Sequence, residues 1–170
     1  VARNREQDTP LHVVSCCGGA AVVAELLIQR GANMDARNGE GYAPLHCAAR
    51  YRNTDVVKLL VQRGSNVNVR TVDDEWTPLH VAALNVENKE IVKTLLHCGA
   101  DVTARAKFEV TPLSLAVTLG LHRIAEVLIT YGAEINIVYH QDSTPLLTSA
   151  TLQHTSIVHL LLYAGVGVPL

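Results

Sequence analysis

Ala43-Pro44-Leu45-His46-Cys47-Ala48-Ala49 leads through Arg50-Tyr51-Arg52-Asn53 to Thr54-Asp55-Val56-Val57-Lys58-Leu59-Leu60-Val61, and then to Gly64. Pro44 falls where a helix's first N–H lacks an intrahelical partner in any case, so it starts a helix at no cost in hydrogen bonds. Leu45 then faces the core. Val56, Val57, Leu60 and Val61 follow the three- and four-residue spacing of a second helix with one apolar side. Gly64 supplies the left-handed residue that ends that helix. The stretch therefore predicts a helix, a turn and a second helix.

The arrangement recurs along the chain. Thr9-Pro10-Leu11-His12, Thr77-Pro78-Leu79-His80, Thr111-Pro112-Leu113-Ser114 and Thr144-Pro145-Leu146-Leu147 match the start at Ala43, at successive offsets of 34, 34, 34 and 33 residues. Gly31, Gly64, Gly99, Gly132 and Gly165 keep phase with them, 21 or 22 residues after each start. Two independent markers thus agree on five repeats, beginning near residues 9, 43, 77, 111 and 144. Where Thr precedes the proline, its oxygen can cap the helix. The twelve or thirteen residues from each Gly to the next start hold turn formers such as Arg37-Asn38-Gly39-Glu40-Gly41, which predicts a short extended finger. One such unit cannot bury its own apolar side, so neighbours must stack.

These residues resemble the ankyrin-repeat family, whose pattern runs TPLHxAAxxGHxxVVxxLLxxGAxxN. The resemblance covers essentially all of residues 1–170, and the second repeat follows it most closely through Ala48, Ala49, Val56, Val57, Leu60, Gly64 and Asn68. It implies one all-α domain, a solenoid of stacked helix pairs with short finger or β-hairpin loops. It also implies that His12, His46 and His80 are structural, bonding around the adjoining fingers and the helix start. Glu75, Glu109 and Asp142 stand where the family usually has a fingertip glycine. If the backbone there takes positive φ, each side chain costs roughly 1 kcal/mol.

What the resemblance implies about activity is recognition of a protein or peptide by a non-catalytic scaffold, on a concave face made by the fingers and first helices. Placed residue by residue, the expected surface takes Tyr42, Trp76 and Val110 just before the helix starts, with Asp74 and Phe108 two residues further back. Arg50, Tyr51, Leu84, Asn85 and Leu119 come from the first helices, and Tyr139 from the last finger. An aromatic at the Tyr42 or Trp76 position also packs sideways on the next finger, so those two carry both readings. The acidic finger Asp73-Asp74-Glu75-Trp76 is the expected centre. It suits a partner with Lys or Arg beside apolar groups. The alternative is a regulatory or substrate-receptor segment of a larger protein, such as a ubiquitin-ligase adaptor or an enzyme with an ankyrin regulatory domain.

Composition narrows the partners. The 170 residues are 48% apolar and 18% charged, enough for a packed core, and 14 Lys and Arg against 16 Asp and Glu give a formal charge of −2. Nothing in that balance forms a basic footprint, so neither nucleic acid nor an anionic membrane is expected. The uncharged stretch from Ser143 to Leu170 is crowded with Thr, Ser, Gln and His, which argues against a membrane helix. Arg50, Arg52, Arg63 and Arg70 lie near Asp73, Asp74 and Glu75 in sequence, predicting a mixed-sign surface. The four cysteines have no CxxC pair, so metal is not expected, and reduced thiols in a cytoplasmic or nuclear setting are the simplest reading. No phosphate-binding loop suggests a cofactor. Cys16 and Cys17 beside His12 are the nearest approach to a catalytic group, without an orienting acid.

Three further expectations concern modification and the chain's ends. Val67-Asn68 and Ile135-Asn136, each with a leucine eight residues before the Asn, resemble the finger sequence that an asparaginyl hydroxylase modifies in many ankyrin proteins. The opening Val1-Ala2-Arg3-Asn4 aligns with Asp35-Ala36-Arg37-Asn38, mid-finger, so chain is expected upstream. The last second helix, Ile157-Val158-His159-Leu160-Leu161-Leu162, lacks charges, so further repeats or another domain are expected beyond Leu170.

Overall fold

The computed structural model describes residues 3–139 and 142–165. Among them run ten α-helices in five successive pairs: α1 (Pro10–Cys16) with α2 (Ala21–Gln29), α3 (Pro44–Arg50) with α4 (Thr54–Gln62), α5 (Pro78–Ala82) with α6 (Lys89–His97), α7 (Pro112–Thr118) with α8 (His122–Thr130), and α9 (Pro145–Thr151) with α10 (Thr155–Gly165). A short 3₁₀ turn, Val86–Asn88, precedes α6, and another, Lys107–Glu109, lies in the fourth finger. First helices pack on first helices and second on second.

Each first helix opens on its proline, and the next leucine is sealed in the interior at Leu11, Leu45, Leu79 and Leu113. The second helices bury Val56, Val57 and Leu60, then Ile91, Val92 and Leu95, then Ile124, Ala125 and Leu128. Each of these valines, leucines and isoleucines contributes about 1.5–3 kcal/mol by leaving water. Thr77, Thr111 and Thr144 accept from the N–H three residues on, whereas the Thr9 hydroxyl meets His12 Nδ1 at 2.8 Å. Gly31, Gly64, Gly99 and Gly132 take positive φ and end their helices. Ala32, Ser65, Ala100 and Ala133 then donate back to Leu27, Leu60, Leu95 and Leu128. Gly165, the last described residue, is still helical.

Asn38, Thr71 and Ala106 each donate across the finger, to the carbonyls of Tyr42, Trp76 and Val110. The return bond in the first two comes from side chains: Asn38 Oδ1 accepts from Tyr42 N–H and Thr71 Oγ1 from Trp76 N–H, both at 2.9 Å. A side chain thereby takes the place of a ladder bond. A two-way backbone pair joins Tyr139 and Ser143. At the tips, Glu75, Glu109 and Asp142 do take positive φ, at 59°, 58° and 55°, as does Phe108 at 60°. Gly41 fills the corresponding place in the second finger, where an added Cβ would lie 2.9 Å from Val72 N.

Ile157, Leu160 and Leu161 of α10 turn inward and are buried, leaving Leu162 and Tyr163 facing out. The more apolar open face belongs to α2, where Val22, Val23 and Leu26 are exposed and Ala24 is the one buried residue. The first helix pair has no earlier pair against it among the described residues.

Candidate functional site

The three histidines do the same job in successive repeats. Nδ1 of His12, His46 and His80 accepts the N–H of Thr9, Ala43 and Thr77 at 3.1–3.2 Å. That bond fixes the tautomer, so each Nε2 carries the hydrogen and donates to the next finger, at Tyr42, Trp76 and Val110 carbonyls, over 2.9, 2.9 and 3.1 Å. Burial lowers all three pKa values, to about 4 for His46 and His80. In the fourth repeat Ser114 bonds back to Thr111 instead.

Other bonds fix the fingers to one another. Guanidinium groups of Arg3, Arg37 and Arg70 donate to the carbonyls of Arg37, Arg70 and Arg105 in turn. Asn53 donates to Cys17 O, and Asn88 to Ala49 O and Ala82 O, each reaching the previous first helix. Asn68 is exposed yet held at both ends, donating to Gly99 O and accepting from Asp101 N–H. Asn136 is exposed beside Arg105 and Glu134.

On this rigid frame the expected surface residues divide. Tyr51 (56% exposed) and Phe108 (73%) stand out with Leu84, Leu119, Arg50, Asp73, Asp74 and Glu75. Arg50, Tyr51, Leu84, Asn85 and Leu119 lie at or just past the ends of their first helices. Asn85, half-buried, caps Glu87 N–H, and Val110 is half-buried as well. Tyr42 and Trp76 carry both roles: they pack against the core, Tyr42 edge-on to His46 and Trp76 stacked on His80. Tyr139 leaves the set. It is 8% exposed, and its hydroxyl donates to Thr148 at 2.7 Å, so its ring braces the last finger on α9.

The opening on this side lies one repeat earlier than the acidic finger. A cleft of about 360 Å³ is bounded by the first and second fingers and the ends of α1 and α3. It takes Tyr42, Arg50 and Tyr51 from the expected set, and adds Glu6, Asp8, Glu40, Val13, Cys16 and Cys47. Arg50 lies over the Tyr42 ring at 5.7 Å. The basic residues expected beside the acidic finger disperse: Arg70 pairs with Glu75, but Arg63 pairs with Glu25 and Arg52 with Glu87.

Chemistry at the thiols is limited by their surroundings. His12 is spent at both nitrogens and cannot serve Cys16 or Cys17 as a base. Cys47 is buried in contact with Cys16; donation from Cys47 lowers the Cys16 thiol, while that contact and burial raise Cys47. Among the described residues no group of three or more His, Cys, Asp or Glu side chains is placed to share a metal ion. No helix among them is long and apolar enough to cross a membrane.

Comparison with known proteins agrees with this architecture. The family described as ankyrin repeats (3 copies) matches residues 2–71, 40–106 and 79–169. The chain is 34% identical over 171 residues to neurogenic locus notch homolog protein 1 of Mus musculus, covering 92% of this chain and 7% of that protein. It is 32% identical over 145 residues to human ankyrin repeat and SOCS box protein 16, covering 85% and 31%. With the Caenorhabditis elegans transient receptor potential cation channel subfamily A member 1 homolog, identity is 29% over 165 residues, covering 97% and 13%. The chain thus spans less than a third of the length of each of these relatives. Ankyrin repeats are in general protein–protein interaction modules and typically non-catalytic. On its 34-residue period, its histidine-linked fingers and these matches, the chain belongs to the ankyrin-repeat family.

Proposed function

We propose that this domain is a non-catalytic scaffold that holds a protein or peptide partner on the side formed by the fingers and the ends of the first helices. The observation that carries the reading is that Tyr51 and Phe108, large aromatics with no share in the buried core, stand on that side at 56% and 73% exposure. Aromatic rings beside arginine are the groups that anchor interfaces. The second helices instead present exposed ion pairs, Lys58–Glu90 and Lys89–Glu126, which suit a solvated face. A charge of −2, with arginines engaged in ion pairs and finger bonds, supports a protein partner over nucleic acid or membrane. Four free cysteines support a reducing cytoplasmic or nuclear setting. Photo-crosslinkers placed at Tyr51, Phe108 and Lys58 test the assignment, with adducts expected from the first two and not the third.

A second reading places the same surface inside a longer protein as its substrate-receptor or regulatory segment. The small share of each relative that this chain spans favours it. The binding face is the same in both.

A further inference from the structure

The glutamates are distributed unevenly between paired and unpaired. The chain has nine. Seven pair with a cation: Glu25 with Arg63, Glu75 with Arg70, Glu87 with Arg52, Glu90 with Lys58, Glu126 with Lys89, and both Glu109 and Glu134 with Arg105. Among the described residues Glu6 and Glu40 have no such partner, and these are the two that line the cleft between the first and second fingers.

The fold brings the backbones that carry this charge together. Gly39 N–H donates to Glu6 O at 2.9 Å, and an added Cβ on Gly39 would sit 2.8 Å from that oxygen, so glycine permits the approach of one finger to the other. Two fingers 34 residues apart are thereby pressed together, each carrying a glutamate into the same opening. Asp8, a third carboxylate in the lining, is oriented by Asn38 Nδ2 at 2.8 Å and Asn4 Nδ2 at 3.2 Å. The one cation in the lining, Arg50, is turned onto the Tyr42 ring, with Nη1 3.3 Å from the tyrosine hydroxyl. At the corresponding contact two fingers later, the backbone N–H of Lys107 makes the same bond, to Asp74 O at 3.1 Å.

We propose that this cleft receives a lysine or arginine side chain of a peptide segment, whose neighbouring apolar residue lies on Val13 and Tyr51. Val13 and Tyr51 are 46% and 56% exposed at the rim. Of the three carboxylates only Asp8 is oriented by side-chain bonds, but the fold already brings the backbones of Glu6 and Glu40 together, which lowers the ordering cost of meeting a cation and favours both association rate and selectivity for a basic partner. The inference rests on the finger side being the partner surface. It moves the centre of that surface from Asp73-Asp74-Glu75 to Glu6, Asp8 and Glu40.

The test uses a phage-displayed library of random dodecapeptides selected on the 170-residue chain, with the most enriched peptide then measured by fluorescence polarisation. The expected pool carries Lys or Arg next to an apolar residue. Affinity should fall at least tenfold in the Glu6→Gln/Glu40→Gln double variant, change less than twofold in Asp73→Asn/Glu75→Gln, and weaken as salt is raised. Glu40→Arg, which supplies its own cation, should abolish binding. Circular dichroism and the melting temperature of each variant should match or exceed wild type, since removing like charges relieves repulsion. A pool without basic residues, a failure to enrich any peptide, or a double variant within twofold of wild type overturns the inference. If a peptide unaffected by the double variant still responds to Phe108→Ala, which lies outside the cleft, the finger-side reading stands without the cleft. If it responds to neither Phe108→Ala nor Tyr51→Ala, both fall.

Discussion

Nε2 of His46 donates to the carbonyl of Trp76 across 2.9 Å, tying the second helix pair to the finger of the third. The bond requires a neutral ring, because Nδ1 is already accepting from Ala43 N–H. Protonation at Nδ1 would set a donor against a donor. His46 and His80 therefore favour the neutral form in the folded protein, and both rings titrate near 4 rather than 6.5.

Stability should consequently depend on acid in a defined direction. The unfolded chain binds protons at these rings from about pH 6.5 downward, while the folded chain resists until about 4. The contribution is fully present above pH 6.5, declines as the pH falls toward 4, and levels off below it. For each ring the interval corresponds to about 3 kcal/mol. Urea midpoints should fall between pH 7 and 4.5, and NMR signals of the two rings should titrate near 4. Midpoints constant over that range, or rings titrating near 6.5, would contradict the hydrogen-bond assignment.

Asn88 gives a second prediction. Its amide is buried and donates to both Ala49 O and Ala82 O at 3.1 Å, joining the ends of two first helices. Asn88→Ala should cost about 2 kcal/mol by leaving two carbonyls poorly satisfied. Chemical denaturation measures it, and a loss below about 0.5 kcal/mol would show that water replaces the amide.

The fourth repeat offers the converse. Ser114 returns its hydroxyl to Thr111 and does not reach the following finger, where histidine does so in the first three repeats. Ser114→His should restore a bond to the Ser143 carbonyl and stabilise the domain by about 1 kcal/mol. A lower unfolding midpoint would mean that the ring does not fit between α7 and the last finger.

The helix pairs were legible because proline and glycine punctuate them at a fixed period, and a period is a property of the chain alone. Glu75, Glu109 and Asp142 were marked by the resemblance to a family with glycine at the fingertip, and the condition of positive φ is met at all three. Tyr139 misled because its place on a finger is local, while its burial depends on Thr148 of the next helix. The cleft was hidden for a related reason. Glu6 and Glu40 are single charges in polar runs, and they come together only when stacking brings one finger onto the next. Asp73-Asp74-Glu75 drew notice as a charge run, yet Glu75 turns to Arg70. The sequence shows charge; stacking determines which charges remain unpaired.

The central claim is that recognition lies on the finger side, and alanine substitution of its two exposed aromatics tests it most directly. Trp76 is a poor choice, since its ring packs on His80 and the core. Tyr51 and Phe108 leave the core untouched. Affinity for a captured protein partner should fall on the order of thirtyfold in Tyr51→Ala and in Phe108→Ala, about 2 kcal/mol at 1.4 kcal/mol per decade. Lys58→Ala, on the second-helix side, should leave it unchanged, and all three variants should melt near wild type. Equal affinity for wild type and both aromatic variants, with unchanged melting, would place the partner elsewhere and contradict the account.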